Sequence, residues 1–543
     1  MALITHSTVP IPNQLPGTSG LRKKVAVFQQ PHYLENFVQA IFDAVPALRG
    51  ATLVLGGDGR FHNAQAVQTI IKMAAANGVA RLVVGQDGLL STPALSHLVR
   101  SEQAAGGIVL SASHNPGGPE GDFGIKFNAA NGGPAPERLT AAIHAKTLEI
   151  REYRLSDAAD VDLSRLGGTA LDGMQIEVVD PVADYAGLMQ RLIDFDAIAY
   201  WLKAGHRLRI DALHAIGGPY ASHLFENLLG AAPGSVVNAR PLADFGGWHP
   251  DPNPVYAAHL VDLMAAADAP DFAAAFDGDA DRNMILGRAV TVTPSDSLAV
   301  LAANARLLPQ FRDGLPGVAR SMPTSRAVDV VAAAQGFDCF ETPTGWKFFG
   351  NLLDAGRIGL CGEESYGTGA SHVREKDGVW AALAWLNLIA VRRSSVAEVL
   401  AQHWATFGRH FYSRHDYEGL AQSAGDAVMA RLRDRLAGLP GTAVQAMTVK
   451  QADDFAYTDP VDGAVAQRQG VRIEFDGGAR AVFRLSGTGT EGATLRIYLE
   501  RYATDPAQYG LPTQPALARV IAAAAELADL PTLTGRSAAD VVT

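Results

Sequence analysis

Only two cysteines occur in 543 residues, Cys339 and Cys361, with no paired spacing and no Cys/His cluster. That excludes a disulfide framework and a zinc site, and it fits a reducing compartment. Long hydrophobic runs are missing too. The longest strongly apolar stretch, residues 379–391, falls short of the roughly 20 residues that a bilayer span needs and is interrupted by Asn387. Residues 1–12 lack a basic segment followed by an apolar core, so no signal peptide is expected, and these first dozen residues are expected to be mobile. There is no excess of positive charge: 45 Lys and Arg against 56 Asp and Glu give a formal net charge of −11. This argues against a nucleic-acid or acidic-membrane binder, while leaving room for a local basic pocket for a small anion. The expectation is a cytoplasmic protein with neither nucleic acid nor membrane as partner.

The chain is too long for one core, and its alternation of short apolar strands with helical patterns predicts a largely α/β architecture. Strands are expected at 51–55, 80–84, 108–110, 208–210 and 272–276, and helices at 34–44 and 65–77. Thr293-Pro294-Ser295-Asp296 is a helix-start signature. The pattern changes from about His410, where residues 417–436 read as a helix. Two strand-like segments follow at 471–475 and 481–485, then a helix at 516–527, as in a smaller α+β domain. The expected units are 1–187, 188–292, 293–408 and 409–543. The first three hint at an internal triplication, although their mutual sequence similarity is slight.

The chemistry sits in a few loops. Gly106 and Gly107 lead into Ile108-Val109-Leu110, and Asn115-Pro116-Gly117-Gly118 closes the stretch, so Ser113 falls where a strand gives way to a loop. In open α/β sheets ligands bind just past the carboxyl ends of strands. A hydroxyl there, beside His114 and followed by Lys126, is a candidate nucleophile or covalent carrier; the alternative is a turn whose Ser and Asn cap their own backbone. Asp277, Asp279 and Asp281, at alternate positions after the strand 272–276, can converge on one hard cation, Mg²⁺ or Ca²⁺. An EF-hand is disfavoured because Arg288 stands at the twelfth position, where a bidentate Glu is required. A haloacid-dehalogenase-like phosphatase, with Asp277 as nucleophile, remains the competitor. Arg484, Ser486, Gly487, Thr488 and Arg496 form a phosphate clamp of N–H donors and guanidinium groups. Glu363 and Ser365 suit sugar hydroxyls. The loop Pro16 to Lys24, with Thr18, Ser19 and Arg22, can also offer N–H groups and charge to phosphate.

Taken together, Ala112-Ser113-His114-Asn115-Pro116, Asp277 to Arg282, Gly362 to Gly369 and Arg484 to Thr490 resemble the four signature loops of the α-D-phosphohexomutase superfamily. Pro16 to Arg22, Pro343 to Lys347 and Arg374 to Gly378 narrow the resemblance to its phosphoglucomutase branch. The match runs in order over nearly the whole chain. It departs in having Tyr366 where Phe is frequent and Ser371 where an acidic residue is frequent.

The resemblance implies three similar α/β domains with mixed sheets around a central cleft, plus a smaller C-terminal α+β domain. It implies an isomerase that interconverts glucose 1-phosphate and glucose 6-phosphate through phospho-Ser113 and a glucose 1,6-bisphosphate intermediate. One Mg²⁺ per chain would be held by Asp277, Asp279, Asp281 and an oxygen of phospho-Ser113. Thr344 and Gly345 would help select the sugar, and Glu363 and Ser365 would hold it in either orientation. Ser486, Thr488, Arg496 and Arg484 would grip the phosphate that does not react. Lys126, Lys376 and His114 are the candidates for acid and base, with Arg22 and Arg282 stabilising charge. Closure by rotation of the last domain is expected, since an open cleft would let water take the phosphoryl group. Alternatives are a phosphohexomutase that also accepts mannose phosphates, and a catalytically silent sugar-phosphate-binding relative. The chain is expected to act as a monomer or homodimer on a small-molecule sugar phosphate.

Overall fold

The computed structural model describes residues 3–17, 19–486 and 492–543. The first unit contains β1 (Leu3–Ser7), β2 (Leu21–Lys24), β3 (Thr52–Gly57), β4 (Arg81–Leu89), β5 (Gly106–Leu110), β6 (Asp122–Ala129), β7 (Glu152–Ser156), β8 (Gly167–Leu171) and β9 (Met174–Val179). Seven of these form one sheet in the order β2-β6-β5-β3-β4-β9-β8. β3 runs parallel to β4 and β5, and β6 returns antiparallel to β5. β5 is buried along its whole length, as a central strand covered by helices on both faces must be. The remaining two strands correct the expectation of a mobile start: β1 pairs antiparallel with β7, and His6 stacks on Tyr153 with ring centroids 5.0 Å apart.

The second unit holds β10 (Leu208–Asp211), β11 (Val236–Val237), β12 (Phe272–Phe276), β13 (Asn283–Gly287) and β14 (Val290–Val292) in the order β11-β10-β12-β13-β14. The third holds β15 (Gly317–Ser321), β16 (Asp338–Thr342), β17 (Leu360–Glu363) and β18 (Gly367–Ala370) in the order β16-β15-β17-β18. The slight triplication is plain in this topology. In every unit a first strand lies parallel between two others, and the third strand turns back through a short connection into an antiparallel fourth. β12 shows why its sequence is Phe-Ala-Ala-Ala-Phe. Phe272, Ala274 and Phe276 face the large central core, while Ala273 and Ala275 face a small cluster with Met264 and Tyr366.

The helix Gly378–Arg392 runs through that central core. It is buried on nearly every side, so its pattern is apolar all round rather than amphipathic. Asn387, which interrupts the run, accepts from the Asp194 backbone N–H at 2.8 Å and donates to Leu307 O at 3.1 Å. Its amide therefore ties the start of one helix to a loop instead of lying unpaired. At 293–296 the expected start is present, with Thr293 Oγ1 accepting from Asp296 N at 3.0 Å.

The last unit is an α+β domain whose seven-stranded sheet includes β19 (Arg409–Leu420), β20 (Ala443–Val444) and β21 (Met447–Asp454). A separate hairpin, β22 (Tyr457–Thr458) with β23 (Val465–Ala466), precedes the other sheet strands β24 (Val471–Phe475), β25 (Ala479–Ser486), β26 (Ala493–Ala503) and β27 (Val541–Val542). The expected helix from Tyr417 begins only at Gln422, because Tyr417 and Leu420 still pair with Leu495 and Ala493 of β26. The long strand wins by burying those two side chains against the helices.

The joint between the third and last domains pairs an apolar cluster, in which Met322 meets Tyr412, Val482 and Tyr498, with an ionic one. Glu500 accepts from Arg480 Nε at 2.9 Å and from Arg326 N at 2.8 Å, and His410 Nδ1 lies 2.7 Å away. Arg480 also donates to Met322 O and Thr324 O of the third domain. Burial would raise the Glu500 carboxyl, but Arg480 and His410 outweigh it and hold it well below the ordinary range. Glu500→Gln strands a buried guanidinium and is expected to weaken the joint by about 3–5 kcal/mol. The wild-type advantage is whole above the unfolded glutamate value of about 4.3 and shrinks as pH falls towards the depressed folded value. Urea midpoints of both proteins from neutral to acid pH check this; curves that stay parallel into acid would refute it.

Candidate active site

The three equivalent hairpins bring three functional loops together at the carboxyl ends of β5, β12 and β17, where open α/β sheets bind ligands. Each loop holds a non-glycine residue in the left-handed region: Ser113 at φ 52°, Ala280 at 63° and Tyr366 at 64°. Such residues cost on the order of 1–2 kcal/mol and persist only where the surroundings over-determine them.

Two residues absent from any sequence motif do this for Ser113. Arg60, fully buried, pairs with Asp58 at 2.9 Å. Its guanidinium donates to Ser113 O at 2.6 Å and Asp122 O at 3.0 Å and lies 5.2 Å from the Phe245 ring centroid. Ser111 Oγ donates to Asp58 at 2.7 Å and accepts from Ser113 N at 2.7 Å. The Ser113 peptide is thus held from both sides. Gly278 must be glycine here, since a Cβ would stand 2.3 Å from Ser113 O.

Ser113 Oγ donates to Asp277 Oδ2 at 2.7 Å. Asp277, Asp279 and Asp281 are all buried and offer ligand atoms within 4.8 Å of one another. Burial, then Asp279 and Asp281, drive the Asp277 carboxyl well above its ordinary value. Asp279 receives Thr92 Oγ1 at 2.6 Å on one oxygen, while its other oxygen is buried without a hydrogen-bond partner. An all-oxygen set with an orphaned acceptor fits a hard divalent cation.

Cations surround this acidic group. Lys376 Nζ lies 3.3 Å from Asp281 Oδ2, and Arg282 lies 3.6 Å from Asp251 and 4.0 Å from Asp277. Arg22, on β2 opposite Gly124, is half-buried near Asp279 and Asp281. Burial raises Asp279, but Lys126, the Thr92 hydroxyl, Arg22 and Lys376 more than reverse it. Lys126 pairs with Glu375 at 2.6 Å. His114 Nδ1 lies 3.4 Å from Ser113 Oγ, and burial, Arg282, Arg22, His249 and Arg496 hold the ring well below its usual value, hence neutral.

The sugar-loop residues also meet: Gly345 N donates to Glu363 Oε1 at 2.9 Å, and the buried Thr344 Oγ1 has no partner among the described residues. Ser365 is half-buried at the turn between β17 and β18. Ser19 is half-buried in the turn that Gly17 N closes on Gly20 O at 2.9 Å. On the last domain Arg484 and Arg496 stand directly opposite each other across β25 and β26, a like-charge pair that invites an anion. Arg484 donates to Gln469 O at 3.2 Å, and Arg496 lies 3.7 Å from Asp416. Ser486 ends β25 beside them. Thr18, Gly487 and Thr488 lie outside the described residues.

Comparison with known proteins agrees with this assembly. Family models for phosphoglucomutase/phosphomannomutase α/β/α domains I, II and III match residues 13–154, 185–289 and 294–407. A model for the phosphoglucomutase-1 C-terminal domain matches 409–540. The chain is 56% identical over 539 residues to a phosphoglucomutase of Rhizobium radiobacter, covering 99% of each chain. It is 50% identical over 582 residues to the cytoplasmic phosphoglucomutase of Pisum sativum, covering 100% of each. The parafusin phosphoglucomutase of Paramecium, solved in an open form, superposes with a TM-score of 0.92 at 48% identity, covering 100% of this chain and 99% of that one. The chain belongs to the phosphoglucomutase/phosphomannomutase family, on its phosphoglucomutase side, and is an isomerase of the phosphotransferase kind.

Arg60→Met leaves the Asp58 carboxylate buried and unpaired and is expected to destabilise the first domain by about 3–5 kcal/mol. Adding Asp58→Asn should recover part of that loss, as thermal denaturation of both variants would show. A double variant no more stable than the single one would mean that the ion pair is not the source.

Proposed function

We propose that the cleft interconverts α-D-glucose 1-phosphate and glucose 6-phosphate, with Ser113 as the phosphoryl carrier and glucose 1,6-bisphosphate as the intermediate and activator. The observation that carries this reading is the hydrogen bond of 2.7 Å from Ser113 Oγ to Asp277, one of three buried aspartates clustered around a common point. A free hydroxyl of the sugar phosphate attacks phosphorus on phospho-Ser113. The P–Oγ bond breaks, the hydroxyl gives up its proton, and the serine oxygen takes one. Lys126, Lys376 and His114 are the groups placed to exchange these protons. Arg22 and Arg282 face the charge that spreads over the transferring oxygens. Mg²⁺ held by Asp277, Asp279 and Asp281 would supply further charge neutralisation at the serine phosphate.

Arg484, Arg496 and Ser486 hold the phosphate that does not react, a role shared with Gly487 and Thr488; Thr18 and Ser19 would bind substrate from the first domain. Glu363, Ser365, Thr344 and Gly345 hold the sugar in two orientations, so the bisphosphate turns over and returns its other phosphate to Ser113. The reaction is set in the cytoplasm; among the described residues no helix is long and apolar enough to cross a membrane.

Glucose 6-phosphate formation from glucose 1-phosphate, with Mg²⁺ and a trace of bisphosphate, is expected for the wild type and is expected to vanish in Ser113→Ala. Turnover surviving in a clean Ser113→Ala preparation would move the carrier to Asp277. The last domain should also swing in when bisphosphate binds. Small-angle scattering is expected to report a smaller radius of gyration with bisphosphate than without, and identical profiles would count against closure.

A further inference from the structure

Residues 374–378 form a joint in which successive residues are tied to different parts of the molecule. Arg374 N receives Ser96 Oγ as its acceptor at 3.0 Å, and Glu375 accepts from Lys126 at 2.6 Å and Asn128 at 2.9 Å. Lys376 reaches Asp281. Gly378 N donates to Ala280 O at 3.1 Å, and a Cβ on Gly378 would stand 2.2 Å from Arg282 O. Both candidate proton-transfer lysines therefore depend on where this segment sits.

Asp377 anchors it from beneath. Its buried carboxylate caps the helix Gly378–Arg392 by accepting from Trp380 N at 2.9 Å; it also accepts from Tyr185 Oη at 2.6 Å and has His372 Nε2 at 2.9 Å. Tyr185 packs edge-on against Tyr220, with centroids 5.4 Å apart and planes at 86°. Tyr220 Oη accepts from Ser91 N at 3.1 Å. The next residue, Thr92, donates its hydroxyl to Asp279 at 2.6 Å and its backbone N–H to Asp279 O at 3.1 Å. Two buried tyrosines thus span from the residue after Lys376 to the residue before the Asp279 partner.

We propose that Tyr185 and Tyr220 are positioning residues, a buried strut that sets the separation of Lys376 from the Asp279 carboxylate. The inference rests on the roles given above to Lys376 and Asp279. Neither tyrosine touches substrate. Phenylalanine in either place keeps the ring packing and removes one hydrogen bond: Asp377 loses a donor, or Ser91 N loses its acceptor. Rigid aromatic bodies anchored at both ends transmit a fixed distance better than a chain of flexible side chains would, and a displacement on the order of 1 Å at a reacting group can cost about 100-fold in rate.

The test is steady-state kinetics on glucose 1-phosphate with Mg²⁺ and bisphosphate for the full chain as wild type, Tyr185→Phe, Tyr220→Phe and the double variant, with melting temperatures alongside. Each single change is expected to lower kcat about tenfold with KM within about twofold and melting nearly unchanged. The double variant is expected to lose little more than the worse single one, because a strut broken once is already broken. The proposal is overturned if the single variants keep kcat within about twofold, if kcat falls only in step with melting temperature, or if the two losses multiply. Failure of the strut would leave the wild type active and Ser113→Ala dead, whereas failure of the underlying reading would appear as an inactive wild type.

Discussion

Three buried carboxylates whose oxygens lie within 4.8 Å of one another are the constraint on which the rest of this structure depends. Asp277, Asp279 and Asp281 repel one another in a site that water does not screen. That repulsion is offset by Arg22 from β2, Lys126 from β6, Lys376 from the segment after β18 and Arg282 from the loop itself, and a divalent cation would complete the balance. Each compensating group comes from a different stretch of chain. Collecting them demands that the first three domains pack tightly, which is why the central core is shared among them and one helix runs buried through it.

Much of this was legible in the sequence. The run Ile108 to Leu110 bounded by glycines reads as a strand because small and β-branched residues between turn formers leave few other choices, and Ser113 duly falls at its end. Thr293 announces a helix because its hydroxyl can satisfy a backbone N–H that nothing else would. The spacing of the aspartates brings them to one point because a tight loop turns alternate side chains inward. What escaped detection depends on partners far along the chain. Arg60 and Asp58 look like any surface pair until folding closes Ser111 and Ser113 over them. Tyr417 sits at a helical spacing, and only the presence of β26 alongside makes it a strand. Leu3 to Ser7 lacks a strong signal of its own and is ordered by β7. Tyr185 and Tyr220 lie in separate helices with no motif to link them.

The threefold recurrence of one strand order explains how different chemistries come to share a cleft. Ser113, the three aspartates and Ser365 all occupy the connection between a buried third strand and its antiparallel return, so the same backbone device presents all of them at one end of the sheets. The last domain is built on another plan, with an antiparallel sheet and two arginines facing each other across neighbouring strands. It is fastened to the third domain through the ionic cluster at Glu500 and through a small apolar cluster in which Met322 meets Tyr412, Val482 and Tyr498, apart from the central core. The charges are thus held at fixed distances by a core that the first three domains share.

The joint at residues 374–378 carries one more consequence, for the chain as it is made. Synthesis runs from the N-terminus, and the earlier domains can fold as they emerge. The serine loop is then complete, but Lys126 still lacks Glu375, Asp281 still lacks Lys376, and the backbone oxygens of Ala280 and Arg282 stand open. A ribosome-bound chain that has not reached Lys376 presents the aspartates with Arg22, Lys126 and Arg282 but without the cation that pairs with Asp281. The arrival of those five residues, late in translation, is the moment at which a collection of folded pieces becomes a closed catalytic floor.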